Sequence, residues 1–372
     1  MRSPLFFTLF LLTIALVIWY VSRRFAWALG CKTIWPMLVL ITTFITSGVG
    51  AMGFVNHATD NRWGHISSIV FPNLMGILLI LVFCVIMMDL VNLAIHMKPS
   101  AFCISTLALC AALSTAGIAN AYIPAVKHIS IETGKNAGNG IRIVQLTDMH
   151  LGHNHGYKHV KKIVDKVNRE NPDIVVITGD LFDSYYRRDA STISAFRDLN
   201  APVFFVDGNH DGYVNKEEVK DIVRSLGNVR VLENEVADCN GVRLVGLNYM
   251  PEDEENDGGG MGLRSSKDRE TVRSVMERLA PELDTQIPVV VLHHVPCGAR
   301  YMEKAGADLF LSGHTHGGQF YPLIWINDRN FEYNRGLYKL GKLHIYVSCG
   351  TGCTGPQLRL GTRPEIAVLD LR

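Results

Sequence analysis

Apolar residues are unevenly distributed along this 372-residue chain: up to about Ala125 the sequence is mostly apolar, and beyond it reads like an ordinary soluble domain. That division constrains the fold more than any other feature, because long apolar runs have few stable destinations in water. Four runs, at approximately 5–21, 34–55, 69–95 and 101–123, come close to the ~20 apolar residues that carry a helix across ~30 Å of hydrocarbon. The first could be a cleaved signal peptide, but no small-residue cleavage pattern follows it, and three further apolar runs do. An N-terminal α-helical transmembrane region of about four spans, residues 1–126, is therefore expected.

Arg23, Arg24 and Lys32 lie between the first two runs and Lys98 between the last two, whereas Arg2, Arg62 and Lys127 flank the other side. Lys and Arg accumulate on the cytoplasmic side, so the Arg23/Arg24 pair favours both termini outside. The expected location is a multi-pass inner-membrane protein with its soluble domain on the extracytoplasmic side. Asp89 and Asn92 fall near the end of their apolar run, where an interfacial position accounts for them.

The formal net charge of +1 lacks the basic excess of a general nucleic-acid binder, so no nucleic-acid partner is expected. Residues 127–140, rich in Gly, Asn and Lys without apolar period, read as a linker. From 141 to 372, short apolar runs alternate with helical patterns. Strands are expected near 141–147, 173–178, 203–206, 242–247, 289–292, 308–311, 343–347 and 365–371, and helices near 157–170, 190–199, 216–226 and 264–279. Val160, Ile163, Val164 and Val167 recur at helical spacing and form one apolar stripe. The pattern is that of an α/β domain. The segment 252–262, acidic and then glycine-rich, reads as a solvated loop; the apolar run 320–326 could dip into lipid near the site, but a core strand is the preferred reading.

The chemistry-bearing residues collect where these strands end. Asp148 and His150 follow the first strand, Asp180 and Asp183 the second, and Asn209, His210 and Asp211 the third. His293 and His294 end a later strand, and His314 and His316 another. Loops at the strand ends of an α/β sheet converge on one crevice. One His or Asp there is ordinarily a cap or a solvated turn residue; five such clusters in one domain are hard to explain as turn chemistry. Mixed oxygen and imidazole donors suit Mn, Fe or Zn better than Ca, and no Cys lies within the clusters to build a structural zinc site.

The order Asp148-x-His150, Gly179-Asp180-x-x-Asp183, Gly208-Asn209-His210-Asp211, a strand-end His and Gly313-His314-x-His316 resembles the calcineurin-like metallophosphoesterase superfamily. Residues 311–319 and 359–366 are similar to its bacterial, membrane-anchored branch. The resemblance implies a catalytic domain over 141–372, built as a mixed β-sandwich flanked by helices. It further implies a first metal on Asp148, His150 and His316, a second on Asn209, His294 and His314, and Asp180 bridging the two. His294 is preferred over His293 because the family pattern His-x-Pro falls on His294-Val295-Pro296. His210 would be the general acid, oriented by Asp183 or Asp211, and a hydroxide shared by the metals would be the nucleophile.

The expected function is thus hydrolysis of phosphate esters (phosphomonoester, phosphodiester or pyrophosphate bonds), with lipid-linked or envelope phosphates favoured by the anchor. A non-hydrolytic membrane sensor or binder of phosphate compounds is the alternative, though no ligand position of the family is missing. A transporter would need more polar residues in its spans than Asp89 and Asn92. Cys349 and Cys353 are expected to be free buried thiols, with a disulfide open to them if the domain faces outward.

Overall fold

The computed structural model describes residues 4–31, 33–35, 38, 41–42, 62–135, 140–183, 186, 188–250, 270–283 and 286–372. The chain forms two compact units: Met1–Ala119 with Gly355–Leu360, and Asn120–Thr354 with Gly361–Arg372.

The first unit contains helices α1 (Pro4–Ala28), α2 (Arg62–Ile95) and most of α3 (Pro99–Ala121). Among the described residues two helices, Gly64–Ile95 and Pro99–Ala121, are long and apolar enough to cross a membrane. The expectation of about four spans is therefore not met by the described residues: α1 covers the first expected run, and the run 34–55 lies mostly outside them. The Asp89 carboxylate accepts a hydrogen bond from the Tyr20 hydroxyl and pairs with Arg24. The Arg24 guanidinium also lies 4.5 Å from the Trp27 ring and 4.7 Å from that of Phe102. Arg24 is thus engaged within the helices by Asp89 and two aromatic rings.

The second unit is a sandwich of two six-stranded mixed sheets. In chain order its strands are β1 (Ala125–Ile131), β2 (Ile141–Leu146), β3 (Ile174–Thr178), β4 (Val203–Val206), β5 (Val229–Val231), β6 (Glu235–Cys239), β7 (Val242–Gly246), β8 (Val289–Leu292), β9 (Leu309–Ser312), β10 (Gly336–Leu340), β11 (Leu343–Val347) and β12 (Glu365–Leu371). One sheet runs β1-β12-β2-β3-β4-β5 and the other β10-β11-β9-β8-β7-β6. Strands β2 to β5 are parallel, as are β7, β8, β9 and β11, so their C-terminal ends lie together within each sheet.

Alternation along the strands builds three cores. Ile143, Val176, Phe204, Val290 and Leu311 point between the sheets. Val144, Val175 and Phe205 face α4 (Tyr157–Arg169), whose Val160, Ile163, Val164 and Val167 form the expected stripe. Val289, Val291 and Phe310 face α8 (Val272–Leu279) and α9 (Ala299–Lys304) on the other side. Strands buried on both faces read as continuous apolar runs. The short helices α5 (Ala190–Ile193) and α7 (Lys216–Arg224) pack into the same core as α4 through Ile193, Val219 and Val223; α6 (Asn209–Tyr213) follows β4 and α10 (Leu323–Asn330) follows β9.

Two expectations change. Residues 127–140 do not begin as a linker: β1 pairs in parallel with β12 from Ala125↔Glu365 to Ile131↔Leu371. As an edge strand it buries only Ile129 and Ile131, which left too short an alternation to be seen among the polar residues. The run 320–326 is not a core strand but leads into helix α10, which buries Ile324 and exposes Trp325 and Ile326. The acidic segment 252–262 lies outside the described residues, as does 264–269 at the start of the expected helix 264–279.

Candidate metal centre

Every residue of the expected site lies on the loops that follow the parallel strands, within the second unit. Asp148 and His150 follow β2, Asp180 follows β3, Asn209 opens α6 after β4, His294 follows β8, and His314 and His316 follow β9. Asp148, His150, Asp180, His314 and His316 all have positive φ, between 47° and 72°. Side chains there cost on the order of 1–3 kcal/mol per residue, and such strain persists where the surroundings over-determine it, typically at functional sites.

Close backbone approach holds these turns. The carbonyls of Gly179 and Asp180 accept from the amides of Asp148 and His150, at 3.0 and 3.1 Å, which ties the β2 and β3 loops together. The amide of His314 donates to both Asp148 carboxylate oxygens at 3.0 Å, and the amide of His210 to Asp180 Oδ1 at 2.8 Å. Two motif glycines are explained by these carboxylates. A Cβ on Gly313 would lie 2.2 Å from Asp148 Oδ2, and one on Gly208 would lie 2.2 Å from Asp180 Oδ1.

The ring nitrogens then converge. His150 Nδ1 is 3.1 Å from Asp183 Oδ1, so its Nε2 turns inward, 3.0 Å from His316 Nε2. His294 Nδ1 donates to the Thr178 carbonyl at 2.8 Å, leaving Nε2 as a lone pair 3.1 Å from Asn209 Oδ1 and 3.2 Å from Asp180 Oδ2. His314 Nδ1 lies 3.0 Å from Asn209 Oδ1 and 3.3 Å from His294 Nε2. Asp148, His150 and His316 form one cluster able to hold a cation, and Asp180, His294 and His314 another; His150, Asp180 and His210 also come within range of each other. Buried carboxylates, an amide oxygen and imidazole nitrogens facing one another suit cations far better than mutual hydrogen bonding, since most of these atoms are acceptors. The residues present fit divalent metal.

Electrostatics follow from burial and proximity. Burial would raise the Asp180 pKa, but His294 and His210 more than offset it and hold the carboxyl well below the usual range. Burial works against charge on His294; without a cation Asp180 outweighs it and raises the ring to about 10, the proton then occupying the Nε2 position that a metal would take. His210 shows the same contest: burial is outweighed by Asp180 and Asp183, and its pKa rises to about 9.

Structure separates residues that the sequence offered as alternatives, with His294 already the preferred one of its pair. His294 faces the centre, whereas the His293 ring lies 3.7 Å from Cys297 Sγ. Asp183, not Asp211, holds His210, at 2.8 Å from Nδ1. Asp211 is a buried cap that accepts from the amides of Leu181, Phe182 and Gly208 at 2.9–3.2 Å. Sequence reasoning missed the cleft walls. A cleft of about 460 Å³ opens over Asp180, Asn209, His210, His314 and His316 and is completed by Tyr213, Gln319, Leu323, Asn327 and Phe331. Gln319 ends the quoted 311–319 stretch and so carried a signal; Tyr213 and Phe331, 5.2 and 5.8 Å from the rings of His210 and His314, carried none. Cys349 and Cys353 are both buried, as expected of them.

Paired His/Asp clusters at the strand ends of a mixed β-sandwich define a metal-dependent hydrolase of phosphate esters, and the relatives agree. The profile of calcineurin-like phosphoesterases matches residues 141–318. An uncharacterised metallophosphoesterase of Campylobacter jejuni is 35% identical over 275 residues, covering 73% of this chain and 70% of that one. One from Aquifex aeolicus is 34% identical over 259 residues, 68% of this chain and 93% of that one. A Danio rerio transmembrane protein with metallophosphoesterase domain is 31% identical over 279 residues, 72% of this chain and 62% of that one. The chain belongs to the calcineurin-like phosphoesterase family.

Proposed function

We propose that this chain is a membrane-anchored phosphoesterase with two divalent cations, Mn, Fe or Zn, one on Asp148, His150 and His316 and one on Asn209, His294 and His314, with Asp180 between them. The observation that carries this reading is the pair of clusters at Asp180, in which lone pairs of His150 and His316, and of His294 and His314, face each other at 3.0 and 3.3 Å. When bound, the cations would supply an acidified water and neutralise charge on the phosphoryl oxygens.

The protein's own groups do the rest. Asp183 holds the Nδ1 protons of both His150 and His210, which fixes the tautomer of one ring and aims Nε2 of the other at the cleft. His210 Nε2–H is then placed to protonate the leaving oxygen, a role worth ~10²–10⁴ in rate. Asn209 presents its amide oxygen to His294 and His314 and is oriented by the first turn of α6.

Residues 1–119 form the anchor in this reading. Support comes from the two apolar helices and from the transmembrane Danio rerio relative. An anchored, extracytoplasmic domain points to lipid-linked or envelope phosphate esters as substrates. The experiment is hydrolysis of bis-p-nitrophenyl phosphate by the purified full chain, after chelation and after adding back Mn. Turnover should vanish and return, and His210→Asn should slow alkyl esters far more than nitrophenyl esters. Unchanged turnover after chelation would refute the reading. A reporter fused after Arg372 tests the side of the membrane.

A further inference from the structure

We propose that the outer face of α10 rests in the headgroup layer of a lipid bilayer, so that the cleft receives phosphate esters carried by lipid; this rests on the phosphoesterase reading above. Helix α10 has two faces. One lines the cleft through Leu323 and Asn327, with Asn327 Nδ2 donating to the Thr315 carbonyl at 2.9 Å. The other exposes Trp325 by 57% and Ile326 by 50%, with the Tyr321 ring 5.0 Å from that of Trp325 and with Asp328, which pairs with Arg335, and Arg329 exposed one turn on. A single exposed apolar residue is ordinary. Adjacent Trp and Ile, flanked by Tyr and Arg on a helix that walls the active site, have the composition of an interfacial element.

Chain connectivity names the occupant. The apolar helix α3 ends at Ala121 and β1 begins at Ala125, so the catalytic fold starts within a few residues of a helix long and apolar enough to cross a membrane. Tyr122 and Ile123 in that short connection are themselves exposed. Arg363 Nε donates to the Ile123 carbonyl at 3.1 Å, and two residues earlier Gly361 pairs with Phe320 and abuts the Tyr321 ring. Two trans peptide steps span only ~7 Å, so Ile123 and α10 share one edge of the catalytic unit. Exposed Tyr122 and Ile123 thus lie along the same edge as exposed Trp325 and Ile326, with Tyr321, Gly361 and the exposed Arg363 between them. The cleft is compatible: its described lining holds no Lys or Arg, and Tyr213, Leu323 and Phe331 give an apolar substituent a surface to lie on among the polar Gln319, Asn327 and Asn330.

The test uses the full chain in lipid nanodiscs. The chain has five tryptophans, so the emission lost on Trp325→Phe isolates Trp325. That lost emission should be quenched by brominated phosphatidylcholine; emission quenched by iodide and indifferent to brominated lipid would overturn the proposal. A kinetic arm compares hexadecyl and ethyl p-nitrophenyl phosphate, which share a leaving group and differ in tail. The double change Trp325→Ser with Ile326→Ser should raise KM for the hexadecyl ester about tenfold, with the ethyl ester unchanged. An equal effect on both esters, or none on either, would overturn it. A parent inactive on both esters yet quenched by brominated lipid would instead refute the phosphoesterase reading.

Discussion

Replacing Asp183 by Asn tests the site without removing any proposed metal ligand. One carboxylate oxygen, Oδ1, lies 3.1 Å from His150 Nδ1 and 2.8 Å from His210 Nδ1. Hydrogen bonds to a charged acceptor are worth ~1.5–3 kcal/mol against ~0.5–1.5 for a neutral one, so each ring should lose ~1–1.5 kcal/mol of orientation, or roughly 5–15-fold. The two losses fall on different observables. Loss at His150 weakens metal binding, for which changes in such supporting groups typically cost ~10–100-fold. Loss at His210 slows proton donation to poor leaving groups. The assay is a metal titration of turnover on ethyl and nitrophenyl esters. Asp183→Asn should raise the half-saturating Mn concentration about tenfold; at saturating Mn the ethyl ester should remain about tenfold slow and the nitrophenyl ester near parent. Metal affinity and ethyl-ester turnover both within twofold of the parent would refute the shared-carboxylate argument.

Other perturbations follow from the same geometry. Gly313→Ala places a Cβ 2.2 Å from Asp148 Oδ2 and 2.3 Å from Thr147 Oγ1, so elemental analysis should show metal lost while the fold survives by circular dichroism. Asp211→Ala strips an acceptor from three buried amides at ~1–3 kcal/mol each, and should lower the Tm by several degrees, with Asn restoring part of it. Burial, reinforced by His155, Lys162 and Lys166, lowers the His159 pKa to about 3, and its Nε2 is shielded without a hydrogen-bond partner. The unfolded ring titrates near ~6.5, so the unfolded chain binds more protons between those values. Stability from the neutral ring is complete above pH ~6.5 and is lost as pH falls toward 3. The Tm of the parent should therefore fall more steeply from pH 7 to 4 than that of His159→Phe; parallel curves would contradict this.

Much of the site was legible because its chemistry needs particular atoms at strand ends. Asp148, His150, Asp180, Asn209, His314 and His316 sit in short motifs, and buried parallel strands announce themselves as apolar runs such as Val289–Leu292. What the sequence hid depends on contacts between distant segments. The choice of Asp183 over Asp211 turns on where loops after β3 and β4 meet, and both residues are plain turn carboxylates in sequence. Strand β1 depends on β12, some 240 positions away, with only Ile129 and Ile131 buried to reveal it. The run 320–326 has the composition of a strand, but tertiary context makes it a helix that covers the cleft on one side only. Left-handed backbone at five of the seven expected ligands has no sequence signature, since neither Asp nor His requires it.

The central claim is that Asp180 joins two cation sites, and metal content per chain tests it most directly. Elemental analysis of the purified full chain, loaded with Mn and desalted, should give two ions per chain in the parent. Asp180→Ala should bind fewer than one and show no turnover. A parent that turns over with one ion or none, or an Asp180→Ala chain that keeps both ions and parent activity, would contradict the account.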